Sequence, residues 1–307
     1  MAKPGIRVYF SAITAMVLWS LTFVWFKIAN ETYPPFTIIF FRLVISSLIL
    51  FTIAAFSNIL QKIRKGDLKY FLLLALLNPF LYFVAEGTGL TLIDASLAAV
   101  IVSTIPLLVP VGARFFFGER ITVLNITGMI ISFSGVLMVV LKKGFALGAA
   151  PAGILLMMMA VICAVGYTLL VRKLTFTYNP FSITAYQGII GVILFLPLFL
   201  VFDHDRILTA KNNGRAILAV VNLAVFGSTI AFIFFNYSVK VLGAAKTDFF
   251  TNIIPALTAV LAWLILGESF NLQKVTGIAV VLTGLLMTQL PGFARRKRRY
   301  VSPDLPS

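Results

Sequence analysis

The chain has 307 residues, of which 60% are hydrophobic and 11% charged, with a mean hydropathy of +1.03. Soluble domains carry about 25% charged residues, so this composition excludes an ordinary soluble domain and indicates an integral membrane protein. The net charge of +15 does not indicate nucleic-acid binding, because the basic residues sit in short links between apolar runs and in the cluster Arg295-Arg296-Lys297-Arg298-Arg299, as cytoplasmic retention charges do.

A helix needs about 20 apolar residues to cross a bilayer. Ten runs meet that length: 8–28, 35–56, 69–90, 96–117, 121–141, 152–172, 180–202, 215–238, 245–266 and 273–291. The first is too long for a signal-peptide core and lacks a small-residue cleavage site, so it is expected to be the first span. The links carry Pro34-Pro35, Lys65-Gly66-Asp67, Asn179-Pro180 and Asn212-Asn213-Gly214, and none is long enough for a soluble domain. Barrel-type alternation is absent, which leaves a helical bundle. Cys163 lies inside the sixth run; one cysteine makes no disulfide framework and no thiolate metal site within the chain. His204 stands between Asp203 and Asp205 after the seventh run. A solvated loop is the plainer reading there, and a metal or proton-sensing site is the other.

Lysine and arginine set the expected orientation. With the N-terminus inside, seventeen fall on the inner side and seven on the outer side, leaving out Arg42 within a span. Both termini are therefore expected in the cytoplasm.

One unit occurs twice. Ala95, Pro106, Gly118-Glu119, Gly128, Gly135 and Met138 recur 149 positions later as Ala244, Pro255, Gly267-Glu268, Gly277, Gly284 and Met287, without a gap. The repeat continues backwards at a shifted offset of 145, pairing Pro35 with Pro180 and Arg42 with Gln187. Ten spans and one duplication give halves of five spans, and five is odd. The second half is thus expected to lie inverted in the membrane, with boundaries 1–145 and 146–291 and a basic cytoplasmic tail over 292–307. Inverted repeats build a substrate site between the halves of secondary transporters.

At these residues the chain resembles the EamA-type transporters of the drug/metabolite transporter superfamily. The resemblance rests on Trp19-Ser20, on Pro35 with Arg42, on Asp94-Ala95-Ser96 through Pro106, Gly118-Glu119-Arg120, Gly128 and Gly135, and on the second copy from Gly243 to Gly284. Two positions depart from the pattern: Ser269 stands where the first copy has Arg120, and Ser20 replaces the usual glycine. The resemblance implies an all-α integral membrane fold of ten transmembrane helices in two inverted five-helix repeats. It also implies a central cavity and transport of small metabolites, often the export of amino acids.

Polar groups within a membrane face a cavity or a partner. Arg42 lies seven residues into the second run and Glu86 four residues from the end of the third, at about 10 Å depth for Arg42. Two readings fit: a pair or shared outer vestibule, or an arginine that snorkels beside an interfacial acid. Asn78, Tyr82 and Glu86 stand four apart, on one helix face. They suit a pathway or interhelical hydrogen bonds. Asp248, Asn252 and Pro255 share a face of the ninth helix; Asp248 reads as pathway or as cytoplasmically solvated. Ser103, near Pro106, serves binding or close helix approach. Trp19, Tyr167, Gln187 and Asn236 complete the pathway candidates. Gly118, Glu119, Gly267 and Glu268 read as hinge and cap, the acid capping the helix that follows, and Pro106 and Pro255 as breaks bordering the cavity.

No nucleotide loop and no metal-ligand cluster occurs, and a single histidine gives no common relay. The expectation is a non-enzymatic secondary or facilitative transporter in a prokaryotic plasma (inner) membrane, exporting amino acids or similar small metabolites by alternating access. No cofactor is expected, with proton coupling through Glu86 left open. The partners expected are a small-molecule substrate and the bilayer, for a monomer or homodimer. The alternatives are efflux of lipophilic cations or drugs, and a receptor without transport.

Overall fold

The computed structural model describes residues 6–117, 123–140, 150–209, 213–269 and 271–299. Among these residues every regular element is a helix. The α-helices are α1 (Ile6–Asn30), α2 (Pro35–Ser57), α3 (Leu68–Ala75), α4 (Tyr82–Leu92), α5 (Ala95–Val102), α6 (Ile105–Phe117), α7 (Val123–Val140), α8 (Pro151–Leu174), α9 (Pro180–Leu198), α10 (His204–Thr209), α11 (Gly214–Asn222), α12 (Ala231–Leu242), α13 (Ala244–Phe249), α14 (Ile253–Leu266) and α15 (Leu272–Arg299). Gly118, Glu119 and Arg120 lie outside the described residues.

Local sequence explains most helix ends. Proline opens α2, α8 and α9, where its missing N–H costs nothing. Asn179 caps α9 by accepting from Ser182 N at 2.7 Å, and Asn213 caps α11 by accepting from Arg215 N at 3.1 Å. Gly267 ends α14 at φ +68°, and Glu268 N reaches back to Ala262 O at 3.2 Å, the left-handed closure that favours glycine.

Several of these helices continue one another across short irregular turns. A π-helical turn (Leu76–Leu81) joins α3 to α4, and another (Leu223–Ile230) joins α11 to α12. Among the described residues six rods are then long and apolar enough to cross a membrane: Ile6–Asn30, Pro35–Ser57, Lys65–Leu92, Pro151–Leu174, Pro180–Ile207 and Gly214–Leu242. Four shorter apolar helices, Ala95–Val109, Ile126–Val139, Phe250–Leu266 and Leu272–Met287, fall in the other four runs. The first and third of these contain breaks, at Ser103-Thr104 and at the 3-10 turn Phe250–Asn252. Large apolar side chains such as Phe10, Ile130, Leu155 and Leu264 point outward, an arrangement suited to lipid.

The two halves of the sequence are packed into one another. Helix α1 packs on α14 and α12, and α8 packs on α6 and α4. Helix α7 makes the most extensive contact, with α15. Gly135 lies against Gly277 and Val281, and Gly284 against Gly128 and Ser132. As one sequence rises the other falls, so the two helices are antiparallel where they meet. The repeated glycines of the two copies therefore touch each other, which lets the backbones approach closely.

Glu268 corrects one expectation. It does not cap the helix that follows it. Its carboxylate caps α5 in the other half, accepting from Ala95 N at 2.7 Å, from Ser96 N at 3.2 Å and from Ser96 Oγ. Asp203 does the same elsewhere: it is buried and accepts from Thr37 N at 2.7 Å at the start of α2. It is not part of a solvated loop. His204 beside it is exposed and lies 3.3 Å from Asp205, and among the described residues no cluster of ligands suits a metal.

Candidate functional site

A central cavity with about 650 Å³ of empty space, its opening included, lies between the halves. Repeat-equivalent positions build it. Phe83 and Phe232, Glu86 and Phe235, Val102 and Thr251, and Ile105 and Ile254 all line it, and each pair is 149 residues apart. The irregular turns bring these residues in. The π-helical turns Leu76–Leu81 and Leu223–Ile230 lead into the helices that carry Phe83 and Phe232, and the breaks before α6 and α14 place Ile105 and Ile254 at the wall. Pro106 and Pro255 follow Ile105 and Ile254 directly. Turns of this kind recur at functional sites because they free backbone groups from the helical ladder.

Of the residues singled out from sequence, Trp19, Arg42, Asn78, Tyr82, Glu86, Tyr167 and Asp248 line this cavity. Gln187 and Asn236 stand behind Tyr167: its hydroxyl is 3.1 Å from Gln187 Oε1 and 3.2 Å from Asn236 Oδ1. Asn236 in turn donates to Thr184 Oγ1 at 3.1 Å. These bonds fix the Tyr167 ring against the cavity. Ser103 is turned to its own helix, donating to Val100 O at 2.6 Å. Asn252 lines a separate apolar groove with Ile253, Leu257 and Leu282.

The charged groups are held differently. Arg42 is 3% exposed; its Nε donates to Ser228 Oγ at 2.9 Å, and its guanidinium lies 4.2 Å from the centre of the Phe83 ring. The second helix supplies it and the π-helical turn of the second half receives it. Glu86 is 8% exposed and accepts from Tyr82 hydroxyl at 2.8 Å. Arg42 and Glu86 face one cavity without forming a direct ion pair. Asp248 is 1% exposed, and its Oδ2 has no protein hydrogen-bond partner. Asn78 Oδ1 is likewise unpartnered. Groups of this kind are costly to bury unless something pairs with them.

Aromatic rings close the remaining wall. Trp19 packs edge-on to Phe232 at 5.2 Å and tilted to Phe235 at 4.9 Å, and its Nε1 donates to Gly227 O at 3.3 Å. Sequence reasoning offered Phe232 from the eighth helix and missed Phe23, Phe83 and Phe235 as cavity residues. The repeat signal was available: Phe83 and Phe232 obey the offset found in the glycine unit.

A multi-pass helical bundle with a largely apolar cavity that holds a few buried polar and charged groups between two interleaved halves suits a membrane transporter. The profile of the EamA-like transporter family matches the chain twice, over residues 6–141 and 151–290, and the chain belongs to that family of the drug/metabolite transporter superfamily. It is 26% identical to the uncharacterized transporter YcxC of Bacillus subtilis, over 97% of this chain and 96% of the relative. It is 27% identical to an uncharacterized transporter of Archaeoglobus fulgidus, over 88% and 94%. A crystal structure with 18% sequence identity shares the fold, with a TM-score of 0.70 over 97% of this chain and 100% of that one.

Proposed function

We propose that the protein is a secondary or facilitative transporter that moves an amino acid or a similarly small zwitterionic metabolite outward across a prokaryotic plasma membrane. Alternating access at the central cavity is the mechanism, with the halves as inverted repeats. The observation that carries the reading is that Arg42 and Asp248 line one cavity, each buried and neither in an ion pair with protein. Arg42 presents a planar donor fork suited to a carboxylate. Asp248 presents an acceptor suited to an ammonium group. Trp19, Phe232 and Phe235 give an apolar body somewhere to lie. The antiparallel meeting of the repeated glycines supports the inverted arrangement.

Counterflow in proteoliposomes tests this. Vesicles preloaded with a mixture of unlabelled amino acids should accumulate a labelled member of the mixture, and Arg42→Gln or Asp248→Asn should abolish the signal. Activity unchanged in both variants would refute the assignment. A second reading, efflux of lipophilic cations, is favoured by the aromatic residues that line the same cavity as Asp248, since rings attract cations. Under that reading Asp248→Asn abolishes transport of a tetraphenylphosphonium probe, and Arg42→Gln preserves it.

A further inference from the structure

We infer that Glu268 and Asp94 form a swapping cap that decides whether one mouth of the cavity is closed. The inference rests on the alternating-access reading and adds the element that switches.

The N-terminus of α5 has two acids available to it. Asp94 occupies the N-cap position, the usual source of a capping oxygen, yet its side chain makes no cap hydrogen bond. It pairs instead with Lys274 Nζ at 3.3 Å and stays largely exposed. The capping oxygens come from Glu268, on the turn between α14 and α15 in the other half of the sequence. Lys274 also lies 3.0 Å from Ser96 Oγ and 3.7 Å from Glu268 Oε2, so one lysine holds both acids in this arrangement. The charge of Glu268 meets the positive end of the α5 dipole. The Glu268 side chain is only 11% exposed.

This arrangement ties the halves together where they must part. Helix α5 leads to Val102 on the cavity wall, and α14 begins beside Ile254 on the same wall; the two helices pack side by side. Parting them at the Glu268 end opens a seam toward the cavity. Ordinarily that would strip α5 of its cap. Here Asp94 already stands at the N-cap, so it takes over the freed N–H groups as Glu268 leaves. Each state of the mouth then has a capped α5, and the gap between them stays small enough for thermal switching. Gly267, left-handed at φ +68° directly before Glu268, sets the turn on which the carboxylate is carried.

Labelling of the full chain in sealed vesicles tests the device without any substrate. The native thiol is removed by Cys163→Ser and a reporter is introduced by Val102→Cys. A membrane-impermeant maleimide is then applied from each face in turn. Glu268→Gln should speed labelling from the face where α5 begins by on the order of tenfold, the effect of weakening one charge-assisted hydrogen bond. Glu268→Asp should fall between it and the parent. Asp94→Ala should slow labelling, because the open state loses its replacement cap. A lower melting temperature for Glu268→Gln with labelling unchanged would make Glu268 a static cap and overturn the inference. So would equal acceleration from both faces, or acceleration by Asp94→Ala. Absence of counterflow in the parent protein would count against the transport reading and leave the labelling result standing.

Discussion

The contact between α7 and α15 yields a prediction with a magnitude that geometry sets. A Cβ added at Gly284 would lie 2.5 Å from Gly128 O and 2.7 Å from Ser132 Cα, whereas ordinary contact begins at 3.4 Å. The main-chain N of Ser132 lies closer still, so the backbones must separate by at least 0.9 Å, the difference between 3.4 and 2.5 Å, because the obstructing atoms are main chain and cannot rotate away. A gap of 0.5–1 Å forfeits roughly a quarter to a half of each dispersion contact across the interface. Overpacking of this kind costs about 1–3 kcal/mol. Gly284→Ala should therefore lower the stability of the purified protein by about 2 kcal/mol. Gly135→Ala should do the same, since its Cβ would meet Val281 N at 2.6 Å and Gly277 O at 2.8 Å. Once one Cβ has pushed the helices apart, the second fits more easily, so the double variant should lose less than the sum. Gly214→Ala, with nothing within 4 Å, is the reference and should stay within about 0.5 kcal/mol of the parent. Thermal and denaturant unfolding in one detergent would measure all four. A Gly284→Ala protein as stable as Gly214→Ala would refute the close-contact argument.

Other outcomes follow from the site. Arg42→Lys should raise the half-saturation concentration in counterflow by about thirtyfold or more, as truncating a buried charge contact does, because lysine keeps the charge and loses the fork and the Phe83 face. Tyr167→Phe leaves Gln187 Oε1 and Asn236 Oδ1 without the hydroxyl; it should destabilise the protein by about 1–3 kcal/mol and slow transport, read by unfolding and flux together. Asp203→Ala should cost about 1 kcal/mol, the value of a helix cap, in the same unfolding assay. Burial raises the Tyr178 hydroxyl above the usual tyrosine range, and that hydroxyl donates to Asp67 at 2.7 Å in a link between helices. A raised value means the neutral form is favoured in the folded state. Its stabilising share is therefore complete below the ordinary tyrosine value of about 10 and is lost as pH rises through the higher folded value. The stability gap between parent and Tyr178→Phe should shrink in that alkaline window and stay constant below it.

How far the fold was legible depends on the range of each interaction. Apolar runs, proline at N1 and the caps of Asn179 and Asn213 act within a few residues, and the structure follows them. The 149-residue spacing placed Gly135 and Gly284 as equivalents, but equivalence in sequence does not say that the two helices touch; that depends on the fold. Glu268 and Asp203 show the limit more sharply. Each was assigned by its neighbours, one to the next helix and one to a polar link. Each carboxylate instead serves a helix more than 160 residues away, and nothing local marks such a partner. Among site candidates, the residues that line the cavity carry charge or a large polar ring within a span, where the cost of burial demands a reason, with Asn78 the exception. Ser103 and Asn252 are small, and a small polar group satisfies itself on its own backbone or faces a groove, so composition alone did not sort them.

The two halves share a scaffold, and the chemistry sits where they differ. Phe83 and Phe232 repeat, as do Ile105 and Ile254, and these positions form walls. The ionisable positions do not repeat. Glu86 is matched by Phe235, Asp248 by Ala99, and Arg42 by Gln187. A cavity built from identical halves would present the same group from both sides and would hold a dipolar molecule equally well in opposed orientations. The substitutions remove that degeneracy. Arg42 and Glu86 come from the first half and Asp248 from the second, so a cargo with separated charges has one favourable orientation. The same logic applies at the cap. Ser96, which gives Glu268 its third donor, is matched by Ala245 in the second copy, so the second copy's sequence lacks that donor. Ser96→Ala should shift the preferred face of opening. If the impermeant label then reaches Val102→Cys from the same face at the same rate, the donor count at the cap does not set the balance between states.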